Sequence, residues 1–410
     1  MPFDRAMSIL PEPGPIRTLA LATLVNTIGS GLWMASSALF LTRSVGLSVG
    51  QTGLALTLVA LVSLVASTPV GYLADRLGPR GVAIGALVAF GLCEAALLQV
   101  HSMAGFLLVA TPMAVLDSAQ RASRGAIIGV AVPPERRVYT RAYLRSVTNV
   151  GITVGAAVAG IGLTVDTRTA YLSLIVADAV TYLLAGAILT RLAPIAPVPR
   201  AESGPRLTAL RDRPFLVFIV LDGLLATNFG LLEVALPLWI AGRTDAPHWM
   251  ISVVFVVNTV TVVLFQVRAA RGTETLAGAA RTSRRAGFAL LTACLITALT
   301  AGTHSFATMA LLVAAAVAHV AGEMWYSAGG WALSFDLAPE NAHGQYQGTY
   351  AMGQHFGQMI APAVITALVL GWGTPGWVVL GVAFALVGCL IPPVIRRAGA
   401  SRPAALKPTA

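Results

Sequence analysis

Seven ionisable side chains lie within otherwise apolar stretches, and their spacing would let them act together. Asp117, Arg121 and Arg124 are four and three residues apart, so on a helix they share one face. Asp222 and Glu233 are eleven residues apart, about three helical turns, and again nearly align. His319 and Glu323 are one turn apart, His319 within and Glu323 directly after a run, 286–322, without Asp, Glu, Lys or Arg. Carboxylates so placed can take up and release a proton or hold a cation, the histidine can relay the proton, and the arginines can hold an anion. Each residue also has a plainer role. Asp117 and Arg121 would form an intrahelical ion pair, Arg124 would snorkel to the helix end, and Asp222 would serve a gate as readily as a substrate. Glu323 would be a hydrogen-bonded packing residue.

The elements that position these residues follow from composition. The chain of 410 residues is 56% hydrophobic and only 11% charged, with a mean hydropathy of +0.78, which leaves too few charges to cover a water-soluble globule. A bilayer core about 30 Å thick needs about 20 apolar residues per helical crossing. Charge-free stretches of that size recur at 18–42, 50–74, 95–116, 146–165 and 246–267, and longer ones at 286–322 and 341–395. The last exceeds one crossing and folds back at the turn Gly371-Trp-Gly-Thr-Pro-Gly376. The pattern predicts an all-α integral membrane chain of twelve helices: 17–42, 50–74, 80–100, 103–130, 141–164, 169–193, 213–241, 247–269, 285–303, 305–335, 344–370 and 375–395. A Pro- and Arg-rich segment divides them into an N-terminal bundle (1–193), a linker (194–212), a C-terminal bundle (213–395) and a tail (396–410).

Cytoplasmic loops are enriched in Lys and Arg. With the amino terminus cytoplasmic, only Arg43, Arg168 and Arg243 of the 27 basic residues face outward, with Arg121 and Arg124 in or near the end of helix 4. Both termini and the linker are therefore expected in the cytoplasm, and the protein in a cell inner membrane. The net charge of +10 then reads as a topology signal and as attraction to anionic lipid. Nucleic-acid binding is not expected, because no basic patch is interleaved with stacking aromatics. Cys93, Cys294 and Cys389 lie singly in apolar helices and are expected to pack rather than to bind metal or form disulfides. The first apolar stretch is too long for a cleavable signal and reads as a retained helix.

Between the second and third predicted helices runs Gly71-Tyr-Leu-Ala-Asp75-Arg76-Leu-Gly78-Pro-Arg80, which fits G-x-L-x-D-R-x-G-x-R at each defined position. It resembles the signature loop of the major facilitator superfamily of secondary transporters. The resemblance implies two six-helix bundles, and a gating role for Gly71, Asp75, Arg76, Gly78 and Arg80 in holding the cytoplasmic side shut. Glycines at 71 and 78 would allow close approach, and Asp75 would meet a helix amino end or an arginine. The equivalent loop of the second half keeps Arg268, Arg271, Arg284 and Arg285 but has no matching aspartate. Duplication of the halves leaves a weak trace: Tyr139/Tyr143 and Tyr346/Tyr350 each precede a glycine pair, Gly151/Gly155 and Gly353/Gly357, though not in one register.

In the superfamily fold, helices 1, 4, 7 and 10 line the central cavity. That places Asp117, Arg121, Arg124, Asp222, Glu233, His319 and Glu323 on lining helices, as candidates for substrate or proton coupling. Asn26 and Asn228 are weaker cavity candidates. Asn149 and Asn258 would bond substrate or cross-link helices, and Glu94 and Asp178, on helices 3 and 6, would hold helices together. The run Gly151-Ile-Thr-Val-Gly155-Ala-Ala-Val-Ala-Gly160 resembles the helix-5 motif G-x-x-x-G-P-x-x-G-G of drug:proton antiporters, with alanine replacing the proline and one glycine. Plain helix packing explains these small residues equally well.

Phosphate loops, H-E-x-x-H metal sites, dinucleotide fingerprints and nucleophile elbows are absent from the sequence, so neither enzyme chemistry nor ATP-driven pumping is expected, and no cofactor or metal. The expected function is proton-coupled export of small apolar or cationic compounds by a monomer, with protons, substrate and membrane lipid as partners. Arg121 and Arg124 keep open an importer or uniporter of a small anionic metabolite. A non-transporting sensor or assembly protein on the same fold is the alternative of another class.

Overall fold

In lipid no water is available to the backbone, so each crossing must satisfy its own N–H and C=O groups, which only a helix does within one segment. The computed structural model describes residues 13–163, 167–197, 207–301, 303, 305–340 and 342–400, and among them no strand occurs. Residues 198–206 of the expected linker and 401–410 of the expected tail lie outside the described residues. In chain order the long helices are α1 (Pro15–Leu39), α2 (Val49–Leu77), α3 (Pro79–Ala96), α4 (Met103–Ala131), α5 (Pro134–Leu163), α6 (Arg168–Leu189), α7 (Arg213–Arg243), α8 (Met250–Ala269), α9 (Leu276–Leu299), α10 (Ser305–Asp336), α11 (His343–Ile365) and α12 (Thr374–Ala400). Eleven are long and apolar enough to cross a membrane; α9 falls short because Arg281, Arg284 and Arg285 occupy its first half.

Local chemistry sets where the helices start. Ser48 caps α2 in a reciprocal pair with Gln51, and Ser102, Thr167, Asp212 and Thr275 each accept a first-turn N–H of α4, α6, α7 and α9. Gly78 turns the chain between α2 and α3 at φ +89°, a conformation that favours glycine. At three boundaries the helix runs five or more residues beyond the sequence expectation. Helix α5 starts at Pro134 rather than 141, α9 at Leu276 rather than 285, and α12 runs to Ala400 rather than 395. The expected limits followed the edge of the apolar runs, whereas Pro134 and the Thr275 cap carry regular helix on into polar surroundings.

Helix α7 is not continuous. It stops at Ala226, turns through Thr227 and Asn228, and continues through a π-helical stretch, Leu231–Ala235. The Thr227 hydroxyl donates to the Leu224 carbonyl and the Asn228 amide to that of Leu225, both at 2.7 Å, so side chains take up acceptors of the helical ladder. Pro237 then has no N–H to offer Glu233, and the wider π register bypasses it.

The packing repeats with a period of six helices. Helix α1 packs on α5 and α6, α2 on α4, and α3 on α4 and α6; likewise α7 packs on α11 and α12, α8 on α10, and α9 on α10 and α12. Contacts between the halves obey the same symmetry: α2 with α11 mirrors α8 with α5, and α4 with α11 mirrors α10 with α5. The C-terminal half buries the T-shaped pair Trp239 and Trp377 and the rings of Phe215, Phe218, Tyr326 and Tyr350. Outside, the surface is apolar, with Leu108, Ile161 and Phe306 more than 70% exposed, as a lipid-facing surface requires.

Of the helix-5 glycines, Gly151 and Gly155 lie directly on α1: a Cβ at 155 would strike the Ile28 carbonyl, whereas a Cβ at 160 meets nothing within 4 Å. Gly155→Val is therefore expected to cost the N-terminal half about 1–3 kcal/mol through overpacking, read as a lowered Tm in detergent. Gly160→Val should leave Tm unchanged. Equal effects would show that helix approach is not what Gly155 provides.

Candidate functional site

At the end of α2 the Asp75 side chain is 4% exposed, and its two oxygens accept the backbone N–H groups of Gly344 at 2.7 Å and Gln345 at 3.0 Å. These are first-turn donors of α11, whose own N-cap position, Ala342, supplies no side-chain acceptor. Asp75 thus caps a helix of the other half, where the positive end of the helix dipole favours a carboxylate. The approach is close because glycines face each other: a Cβ at Gly71 would meet the Gly344 carbonyl, and one at Gly348 the Ser67 carbonyl. Thr68 and Thr349 bond hydroxyl to hydroxyl at 3.1 Å one turn further in. Arg76 lies over the Tyr72 ring, and Arg80 donates to the Thr190 carbonyl at the end of α6 at 2.6 Å.

The start of α11 is also held by the residues ahead of α7. Thr208 donates its N–H and its hydroxyl to the Gln345 side chain, and the Tyr346 hydroxyl donates to Asp212 at 2.8 Å. In the corresponding loop of the second half, Gly272 N–H bonds Glu274 and Thr273 bonds the Ala270 carbonyl, so this loop closes partly on itself.

Deeper between the halves, Arg145 of α5 forms an ion pair with Glu323 of α10 at 2.9 Å, and Asn258 of α8 donates to the other Glu323 oxygen at 2.7 Å. Arg145 also lies over the Phe229 ring. One turn earlier on α5, Arg141 donates to Gln347 of α11 at 2.5 Å and lies over the rings of Trp331 and Phe335. On the C-terminal wall the Tyr326 hydroxyl donates to Asp222 at 3.2 Å, and Gln354 donates to the hydroxyls of both Tyr326 and Tyr350 at 3.1 Å.

The residues picked out by sequence fall into these groups unevenly. Asp117 and Arg121 pair on α4, part exposed, with His355 of α11 in the electrostatic field of Arg121. Glu233 is exposed, within the field of Glu323 and Arg145, whereas Asp222 is buried; the break in α7 removes the shared face that eleven regular residues would have given them. His319 bonds the Asn228 carbonyl at 3.0 Å rather than Glu323. Arg124 does not extend to the helix end but lines, with Asn26 and Gln120, a cavity of about 20 Å³ inside the N-terminal half, room for a water molecule. Glu94 and Asp178 are buried side by side between α3 and α6, at 1% and 2% exposure.

Sequence reasoning missed Arg141, Arg145, Tyr326, Gln347, Tyr350, Gln354 and His355. The i, i+4 spacing of Arg141 and Arg145 on one helix was the available signal, hidden because both were counted as the cytoplasmic end of helix 5.

Comparison with known proteins places this geometry. The profile of the Major Facilitator Superfamily matches residues 19–307. A search of curated proteins finds no match. Among solved structures, an outward-facing bacterial homologue of the iron transporter ferroportin superposes with a TM-score of 0.72 at 16% identity, covering 94% of this chain and 99% of that one. The E. coli fucose:proton symporter gives 0.67 at 14% identity, covering 94% and 98%. A human organic anion transporter gives 0.66 at 14% identity, covering 92% and 98%. With a profile match over most of its length, a complete signature loop and the same all-helical fold, the chain belongs to the major facilitator superfamily.

Proposed function

We propose that the protein is a proton-coupled exporter of small apolar or cationic compounds, working by alternating access between two halves, 1–193 and 213–395. The observation that carries this reading is the Arg145–Glu323 pair, an ion pair that joins the halves at membrane depth. A charge-assisted bond of this kind contributes about 1.5–3 kcal/mol, enough to change a two-state population about ten- to a hundredfold. A proton on Glu323 removes that contribution and favours separation of the halves at the Asp75 end.

With the Asp75 end cytoplasmic, as the placement of basic residues favours, the described conformation is closed to the cytoplasm. A proton arriving from outside neutralises Glu323, Arg145 is released, and the cytoplasmic side opens. Substrate then enters from the cytoplasm as the proton leaves, and re-forming the pair closes that side again. Asp222 and the rings of Phe229, Tyr326 and Tyr350 give the C-terminal wall the character to receive a cationic or apolar body. Asp117 and Glu233 add charge at the part-exposed edge, and His319 and Asn228 brace the break in α7.

Arg121, Arg124 and Arg141, concentrated in the N-terminal half, favour a second reading, uptake of a small organic anion. Monomeric protein reconstituted in vesicles with an imposed pH gradient distinguishes the two. Substrate-dependent proton movement with cationic or apolar compounds supports export; movement only with anions overturns it in favour of the second reading. Neither proton movement nor substrate uptake with any of a broad panel would assign the fold to sensing or assembly.

A further inference from the structure

A groove of about 380 Å³ runs along the outer surface between α9 and α10, lined by Arg285, Phe288, Ala289 and Thr292 of α9 and by Ala318 and Trp325 of α10. Ala289 and Ala318 are small enough to leave a trench, and Phe288, 48% exposed, forms one of its walls. We propose that this groove is a binding site for one anionic glycerophospholipid of the leaflet at the Asp75 end.

Charge and depth both fit that occupant. Arg281, Arg284 and Arg285 are all exposed, and among the described residues none forms an ion pair with a carboxylate. Three unneutralised guanidinium groups at the start of a membrane helix complement a phosphate-bearing headgroup, which Arg can bind bidentately. By the sixfold repeat in packing, α9 starts at the same end as α3, beside Asp75, so the arginines lie at headgroup level on that side. From Arg285 to Thr292 the trench descends about 10 Å at the helical rise. That is within the roughly 15 Å of one leaflet's hydrocarbon, the depth reached by the upper part of an acyl chain. Phe288 and Trp325 flank the chain, while Leu295 and Leu299, exposed further along α9, continue the apolar face into the bilayer. A neutral-headgroup lipid would fill the trench equally well but leave the arginines uncompensated.

The test uses full-length protein in detergent, titrated with dioleoylphosphatidylglycerol, dioleoylphosphatidylcholine or inorganic phosphate and read by native mass spectrometry and Tm. One phosphatidylglycerol should remain bound per chain and raise Tm, at least fivefold tighter than phosphatidylcholine, while phosphate alone does neither. Arg285→Gln should abolish the preference between the two lipids, and Thr292→Trp, which fills the trench from an exposed position, should remove retention of both. Phosphatidylglycerol carrying brominated acyl chains should quench the part of the tryptophan fluorescence that Trp325→Phe removes. Equal retention of the two lipids by the unaltered protein, retention unaffected by both variants, or a lipid-free dimer formed through the Phe288 face would each overturn the proposal.

Discussion

Glu323→Gln is expected to reduce pH-gradient-driven transport to background, at least tenfold below the unaltered protein, while the variant still folds and still exchanges substrate across the membrane. Glutamine keeps the size of the side chain and an oxygen for the Asn258 amide, which now reaches Glu323 at 2.7 Å. It cannot carry the negative charge that Arg145 meets at 2.9 Å, and it cannot bind and release a proton as a carboxylate does. Substrate exchange needs only the halves to move with substrate bound, so it should survive. Net movement against a gradient needs the proton and should not. Glu323→Asp, which keeps the charge on a shorter stem, should recover part of the coupling. A purely structural role predicts a different pattern: Tm and both transport modes would fall together, and the aspartate variant would do no better than glutamine. pH-dependent transport that is unchanged in Glu323→Gln would remove the coupling assignment.

Eleven of the helices were readable because each crossing needs a run of apolar residues too long to mistake for anything else, and α9 because the run 286–322 is too long for one crossing. The ends were less readable, since hydropathy reports where lipid stops and not where backbone hydrogen bonds stop. Placing the start of helix 5 at 141 turned Arg141 and Arg145 into end residues, and the cross-half ion pair went unseen. The break in α7 had its signals in Thr227, Asn228, Gly230 and Pro237, but a long apolar run masks them. Asp75 was readable as a residue of the signature loop, yet its partners were not. They are backbone N–H groups far along the chain, and a backbone donor has no side-chain signature. The one trace was negative: Ala342 stands where a helix of this length would take Ser, Thr, Asp or Asn. A helix without its own cap invites a carboxylate from elsewhere.

That borrowed cap makes the second large effect. Asp75→Asn and Gly71→Ala are both expected to move the protein away from the conformation closed at the Asp75 end, by different amounts and for different reasons. Asparagine retains one acceptor oxygen and no charge, so one N–H at the start of α11 loses its partner and the other a charge-assisted bond. At about 1.5–3 kcal/mol for such a bond, the closed state should lose about ten- to a hundredfold in population. Alanine at 71 acts by sterics: its Cβ would overlap the Gly344 carbonyl oxygen, a backbone atom fixed in the first turn of α11 that no rotamer change can move aside. Closure would then require α2 and α11 to separate along their whole contact, so the effect should exceed that of Asp75→Asn. Thr349, fully buried against Thr68 in the closed state, is the reporter position. In protein with Cys93, Cys294 and Cys389 replaced by alanine, Thr349→Cys should react slowly with a membrane-impermeant maleimide. It should react faster with Asp75→Asn added and fastest with Gly71→Ala. Unaltered labelling in both would mean that the Asp75 contact is incidental to gating. Faster labelling for Asp75→Asn alone would locate the latch in the carboxylate rather than in the glycine contact. Because transport needs both conformations in turn, Gly71→Ala should also be the slower transporter of the two, even though its substrate can still bind from the open side.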